Sequence, residues 1–220
     1  MSDTRTLIER LAHDARPVRP IASPLRRTLW WLALAVVVAA GVIAHYGLRA
    51  NLGDVLRSGP DLVEWIASVL TGVCAAYAAF QVSVPGRSKA WAWLPVPALA
   101  LWLAGLGWGC LRDYAHKGAS AFLLEAAHSE CAVAIAITSI PLGLGLFWMV
   151  RFAGVVRPLP TALLAALGAA ALSAASVTLY HPGEPMLMVL LWHFGVVVLL
   201  SLACLALGKP LFAWIGPTKR

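Results

Sequence analysis

The 220-residue chain is 60% hydrophobic and only 12% charged, with a mean hydropathy of +0.80. Soluble domains carry about a quarter charged residues, so this composition excludes an ordinary soluble domain and indicates a polytopic membrane protein. The first apolar run lies behind a polar segment and lasts about 20 residues, which is too long and too late for a cleaved signal peptide. The four cysteines lack CxxC spacing, which excludes zinc-ribbon and thioredoxin-type sites.

The water-compatible start of the chain, residues 4–27, predicts a short amphipathic helix followed by an extended tether. Thr6 and Glu9 have the spacing of a capping box, which predicts a helix start. One face of this helix is apolar and carries Leu7, Ile8, Leu11, Ala12 and Ala15. Prolines at positions 17, 20 and 24 favour an extended spacer of about 3 Å per residue. Because so short a helix is marginal alone, we expect it to bind a groove on another protein or a lipid surface. The alternative is a basic tail that only sets topology.

Six later runs are long enough to cross a hydrocarbon core, which takes about 20 residues of helix. They are 28–48, 62–82, 90–110, 129–150, 159–179 and 187–208. The predicted fold is all-α, a six-helix transmembrane bundle over residues 28–208, with a docking arm at 1–27 and a short basic tail at 209–220. We expect Pro95, Pro97 and Pro141 to kink their spans.

The distribution of Lys and Arg predicts that both termini are cytoplasmic. With the N-terminus inside, only four of the 17 basic residues lie outside, namely Arg49, Arg57, Arg112 and Lys117. The inside segments hold the other thirteen: Arg5, Arg10, Arg16, Arg19, Arg26, Arg27, Arg87, Lys89, Arg151, Arg157, Lys209, Lys219 and Arg220. The net charge of +7 is therefore a topology signal, and we expect no direct nucleic-acid binding.

Four polar residues crowd the outer start of the fourth span: Glu125, His128, Glu130 and Cys131. Glu125, His128 and Cys131 follow one another at three-residue spacing, so one helix face can present all three. Together with His181 in the outer loop after span five, they could bind a soft or borderline metal ion transiently. The alternative is that Cys131 is a small packed residue and that the acids only solvate the loop.

Other chemistry finds little support in the sequence. No span carries a charged residue at its centre, which argues against ion-coupled transport. No Ser-His-Asp set, phosphate-binding glycine loop or HExxH motif is present, so we expect no enzyme activity and no required cofactor. We interpret His193, inside the sixth span, as a structural residue. Two alternatives remain: a small transporter or channel subunit, and a bundle that binds haem or quinone through histidines.

Short motifs along nearly the whole chain resemble one family. They are residues 7–12 (LIERLA), 14–20 (DARPVRP), 24–27 (PLRR), 179–182 (LYHP) and 208–211 (GKPL), together with Cys131, Pro141 and Trp214. In these motifs the chain resembles the bacterial membrane anti-sigma factors called negative regulators of sigma F, or NrsF-like proteins.

The resemblance implies an inner-membrane protein that holds an extracytoplasmic-function sigma factor and releases it on an outside signal, heavy-metal or oxidative stress. We therefore assign the docking role to the arm, at Leu7, Ile8, Leu11, Asp14 and Val18. The family's sensing is linked with two outer cysteines. Cys131 matches the first, but His181 stands at the second, so a disulfide between these positions is impossible. Either Cys131 and His181 act as a metal pair, or other residues sense the signal, or sensing is lost.

Overall fold

The structure is a computed structural model that describes residues 2–14, 20–122, 130–153, 155–181, 186–191, 195–199, 201–203 and 206. Every regular element in these residues is helical. The α-helices are α1 (Ser2–His13), α2 (Pro24–Tyr46), α3 (Leu52–Arg57), α4 (Gly59–Val82), α5 (Val96–Lys117), α6 (Glu130–Val150), α7 (Pro158–Tyr180) and α8 (Met186–Val189). Five stretches, containing α2, α4, α5, α6 and α7, are long and apolar enough to cross a membrane. The all-α class is therefore confirmed, and five of the six predicted spans correspond to helices that are compatible with a membrane crossing.

The sixth predicted span, 187–208, lies partly outside the described residues. The parts of this range that the structure describes, 187–191, 195–199, 201–203 and 206, are all helical. A sixth crossing and the placement of the termini remain predictions.

The arm helix α1 begins earlier than its sequence pattern predicted. It starts at Ser2, so Thr6 lies in its second turn and cannot be the N-cap. The capping-box prediction was therefore wrong. Asp3 in the first turn offers the physical reason, because a carboxylate near a helix N-terminus is stabilised by the helix dipole.

Two further helix starts also differ from the predicted bounds, and proline explains both. Pro24, which we assigned to the tether, is the first residue of α2, where its missing N–H costs no helical hydrogen bond. Pro95 and Pro97 likewise lie at the start of α5, behind a 3₁₀ turn at Lys89–Trp93, so they begin this helix and do not kink it. Pro141, in contrast, lies inside α6, which continues from Glu130 to Val150.

The core of the bundle lies between α4 and α7. Helix α7 is buried along most of its length, and small residues line its contact with α4. A Cβ atom added at Gly168 would lie 3.3 Å from both the Ala76 nitrogen and the Gly72 oxygen. One added at Gly72 would lie 2.6 Å from Leu172 Cγ. The two backbones therefore touch at Gly72 and Gly168, the close approach that small residues permit between helices in lipid.

Helix α2 is fastened to α6 by a buried tryptophan. The Trp31 side chain is fully buried, and its Nε1–H donates a hydrogen bond to the Leu142 oxygen at 2.9 Å. One turn further along α6, a Cβ atom at Gly145 would lie 2.5 Å from Leu34 Cδ2, so α2 and α6 also pack closely.

The long helices alternate in direction, which gives the bundle two chemically distinct ends. We call the end that carries Arg27, Arg87, Lys89 and Arg157 the basic end. There Arg27 contacts Phe80 and Arg157 contacts Arg87. We call the other the opposite end, where Tyr46 contacts Tyr180.

We predict that Gly168→Leu destabilises the bundle, because the larger side chain must push α4 away from α7. Overpacking of this kind costs about 1–3 kcal/mol. In detergent, the midpoint of thermal unfolding, measured by loss of the monodisperse size-exclusion peak, should fall by roughly 4–8 °C. Gly41→Leu is the control, because Gly41 faces open space. Equal midpoints for the two variants would contradict the Gly72–Gly168 contact.

Candidate functional site

The arm helix α1 lies outside the bundle and presents an exposed apolar face. Every described side chain from Asp3 to Asp14 is exposed. On the apolar face, Leu7 is 56% exposed, Ile8 60% and Leu11 64%. The other face carries an exposed ion pair between Arg5 and Glu9 at 3.9 Å, which contributes little to stability.

Of the five predicted docking residues, the structure therefore places three on one accessible surface. Asp14 follows the last residue of α1 and is exposed, with a carboxylate oxygen 3.6 Å from the His13 ring nitrogen. Val18 lies outside the described residues.

The arm joins the bundle at the first turn of α2, which is held by two anchors. The Ser23 side chain caps the helix by accepting a hydrogen bond from the Arg26 N–H at 3.3 Å. Arg27 is 5% exposed, and its Nη2 donates to the Phe80 oxygen at 3.1 Å, near the end of α4. Its guanidinium also lies 4.8 Å from the centre of the Phe80 ring. Sequence reasoning counted Arg27 only as a topology signal and missed this anchor.

The far end of α2 is held as well, by the residues that precede His181. The Tyr46 and Tyr180 rings stack with centroids 5.4 Å apart and planes 16° apart. Just beyond α2, the Arg49 N–H donates to the Leu179 oxygen at 3.0 Å. His181 ends α7, where its N–H donates to the Val177 oxygen at 2.9 Å. Thus α2 leads to the arm at one end and contacts the last residue of α7 at the other.

A polar cluster at the opposite end was also missed by sequence reasoning. Arg112 of α5 donates to Asp61 of α4 at 3.2 Å, in a partly buried ion pair. Glu64, one turn along α4, lies with its side-chain stem close to Gly105 of α5. The sequence feature that could have indicated this cluster is the i, i+3 spacing of Asp61 and Glu64 at the start of a predicted span. These contacts connect α4 to α5.

The predicted metal-binding residues fall largely outside what the structure describes. Residues 123–129, with Glu125 and His128, are outside it, and so are the side chains of Glu130 and Cys131. The backbone of Cys131 lies in the first turn of α6. Among the side chains that are described, no group of three His, Cys, Asp or Glu residues could hold a metal ion. The prediction that Cys131, His128, Glu130 and His181 bind a metal therefore remains a prediction.

Buried hydroxyl groups in the described helices bond mainly within their own helix. Thr71 donates to the Ala67 oxygen at 2.7 Å, Thr138 to the Ala134 oxygen at 2.7 Å, and Ser139 to the Ile135 oxygen at 2.6 Å. Such bonds satisfy the hydroxyl locally. These three side chains therefore need no hydrogen-bond partner from another helix.

The architecture is that of a helical protein compatible with a membrane, with an exposed amphipathic arm on its basic end. Compared with families of known proteins, residues 11–214 match the family described as NrsF, negative regulator of sigma F. The chain therefore belongs to the NrsF family, which confirms the predicted family resemblance. No curated protein and no solved structure matches it.

We predict that Tyr46 and Tyr180 are energetically coupled, because stacked aromatic pairs contribute about 0.5–1.5 kcal/mol beyond their buried area. In a double-mutant cycle with Tyr46→Ala and Tyr180→Ala, unfolding free energies should reveal a coupling of about 1 kcal/mol. Tyr46→Ala with Tyr77→Ala is the control pair, because Tyr77 contacts Trp91 instead. Additive effects for Tyr46 and Tyr180 would contradict the contact.

Proposed function

We propose that this chain is a membrane-bound anti-sigma factor that sequesters an extracytoplasmic-function sigma factor at the bacterial inner membrane. The observation that carries the proposal is the exposed apolar face of α1 in a member of a family named for negative regulation of a sigma factor. An amphipathic helix laid in a groove is a common mode of protein recognition.

The arm is suited to bind a partner because contacts within the chain contribute little to the stability of α1. Alone, a 12-residue helix is marginal in water, and α1 buries none of its described side chains. Each large apolar side chain gains about 1.5–3 kcal/mol on full burial. Transferring Leu7, Ile8 and Leu11 into a groove therefore supplies several kcal/mol, which offsets the ordering of the arm and tether.

The charge distribution supports an arm that faces the cytoplasm. The basic end of the bundle adjoins the arm and carries cations from three segments of the chain, at Arg27, Arg87 and Arg157. Excess Lys and Arg marks cytoplasmic segments of membrane proteins. Sigma factors act in the cytoplasm, so this orientation puts the arm in the same compartment as its proposed partner.

For signalling, we propose that an extracytoplasmic event near Cys131 and His181 changes the position of α2 and so weakens sigma binding. Helix α2 is the proposed connection, because its Tyr46 stacks on Tyr180 at one end and the helix leads into the arm at the other. Shifting a population from 1:99 to 99:1 takes about 5.5 kcal/mol of differential binding. The candidate signal is a thiophilic metal ion, with Cys131, His128, Glu130 and His181 as candidate ligands.

The docking proposal predicts that Leu7→Asp with Leu11→Asp releases the sigma factor, because two carboxylates cannot enter an apolar groove without partners. Co-purification from membranes should fall at least about 100-fold, the effect of roughly 3 kcal/mol. Membrane insertion should be unchanged.

Thr6→Asp with His13→Asp is the matched control, since it adds two carboxylates to the other face of α1. This variant should retain the sigma factor. Retention by the Leu7/Leu11 variant, or loss by the control, would reject the apolar face as the docking site.

The sensing proposal predicts that Cys131→Ser reduces release of the sigma factor in cadmium-treated cells, because a hydroxyl is a poor ligand for a soft metal. Cys110→Ser is the control, a free thiol in α5 that should leave the response intact. An unchanged response in Cys131→Ser would remove this residue from the mechanism.

A further inference from the structure

A cavity of about 330 Å³ opens at the basic end, between the end of α4, the 3₁₀ turn at Lys89–Trp93 and the start of α7. Its polar lining comes from Ser88, Lys89 and Arg157, and its apolar lining includes Val82, Trp93 and Pro160. The volume lies within the range of small-molecule sites, about 300–1,000 Å³.

The cavity carries positive charge without a neighbouring carboxylate. No Asp or Glu lines it, and neither adjoining connection, 83–95 or 151–157, contains one. Arg157 is oriented by Nη1, which donates to the Arg87 oxygen at 2.9 Å. Ser88 Oγ accepts from the Ala90 N–H at 3.2 Å, which leaves its own O–H to donate. The arrangement offers an ammonium, a guanidinium and a hydroxyl to an anion.

The position of the cavity favours the phosphate of a lipid headgroup over a free phosphate ion. It lies where an apolar helix ends at Val82 and another begins at Pro158, which is the level of the lipid headgroups if these helices cross a membrane. Trp93 is 72% exposed, as expected of an interfacial tryptophan. Further along α5, Leu101 and Trp108 lie seven residues apart on one face and are exposed, so they offer acyl chains an apolar surface.

We propose that this cavity binds the headgroup of an anionic phospholipid, with its phosphate held by Lys89, Arg157 and the Ser88 hydroxyl. Basic pockets between membrane helices commonly bind anionic headgroups on the cytoplasmic side. The bound lipid would bridge the end of α4 and the start of α7, on the end of the bundle that bears the arm. This site is independent of sigma binding, so either proposal can fail alone.

The test is native mass spectrometry of the full-length protein, titrated in detergent with phosphatidylglycerol or with phosphatidylcholine of the same acyl chains. We expect saturable retention of one phosphatidylglycerol per chain and weaker, non-saturable retention of phosphatidylcholine. Lys89→Gln should weaken phosphatidylglycerol binding about fivefold, the equivalent of about 1 kcal/mol for one cation. Lys89→Gln with Arg157→Gln should weaken it about 25-fold.

Lys117→Gln, which removes an exposed lysine at the opposite end, is the matched control and should bind like the unsubstituted chain. Lys89→Arg should retain binding, because it keeps the positive charge that Lys89→Gln removes. A further titration with phosphatidylglycerol is carried out in millimolar inorganic phosphate. Phosphate that displaces phosphatidylglycerol completely, equal retention of both lipids, or unchanged binding by Lys89→Gln would each overturn the proposal.

Discussion

The contact between α4 and α7 at Gly72 and Gly168 is the constraint on which the rest of the structure depends. It brings two long helices to backbone contact and makes α7 the most buried element. Helix α4 then supplies an attachment at each end, with the Phe80 oxygen accepting from Arg27 and Asp61 pairing with Arg112. The other helices are thus positioned against one rigid pair.

Helix α2 differs from this pair because it is less buried, although Trp31 and Ala35 lie in the core and Leu34 packs against it. Its fastenings are the Arg27 bond to Phe80, the Trp31 bond to Leu142 and the Tyr46 stack on Tyr180. Hydrogen bonds and aromatic stacks of these kinds contribute about 1 kcal/mol each. Helix α2 is thus connected to the core at both ends and in its middle, and it leads into the arm.

Hydropathy and charge predicted the long helices of the fold, but not where these helices begin or which residues connect them. Five spans were located because a run of about 20 apolar residues has few structural alternatives. Helix starts were less predictable, because prolines at 24, 95 and 97 can equally end a loop, kink a helix or begin one. The amphipathic face of α1 was visible as a 3.6-residue period. The contact of Arg27 with the Phe80 oxygen was not visible in the sequence, because the two residues are 53 positions apart. The Asp61–Arg112 pair was not visible either, because its members are 51 positions apart. Such partners follow from packing, which periodicity does not encode.

The orientation of the arm can be measured most directly by cysteine labelling in intact cells. Thr4→Cys and Lys117→Cys would be treated with a membrane-impermeant maleimide, relative to the unsubstituted protein, before and after the inner membrane is permeabilised. An arm on the cytoplasmic side predicts that Cys at position 117 reacts at once and Cys at position 4 reacts only after permeabilisation. Immediate labelling at position 4 would put the arm outside the cell interior and contradict sigma-factor capture.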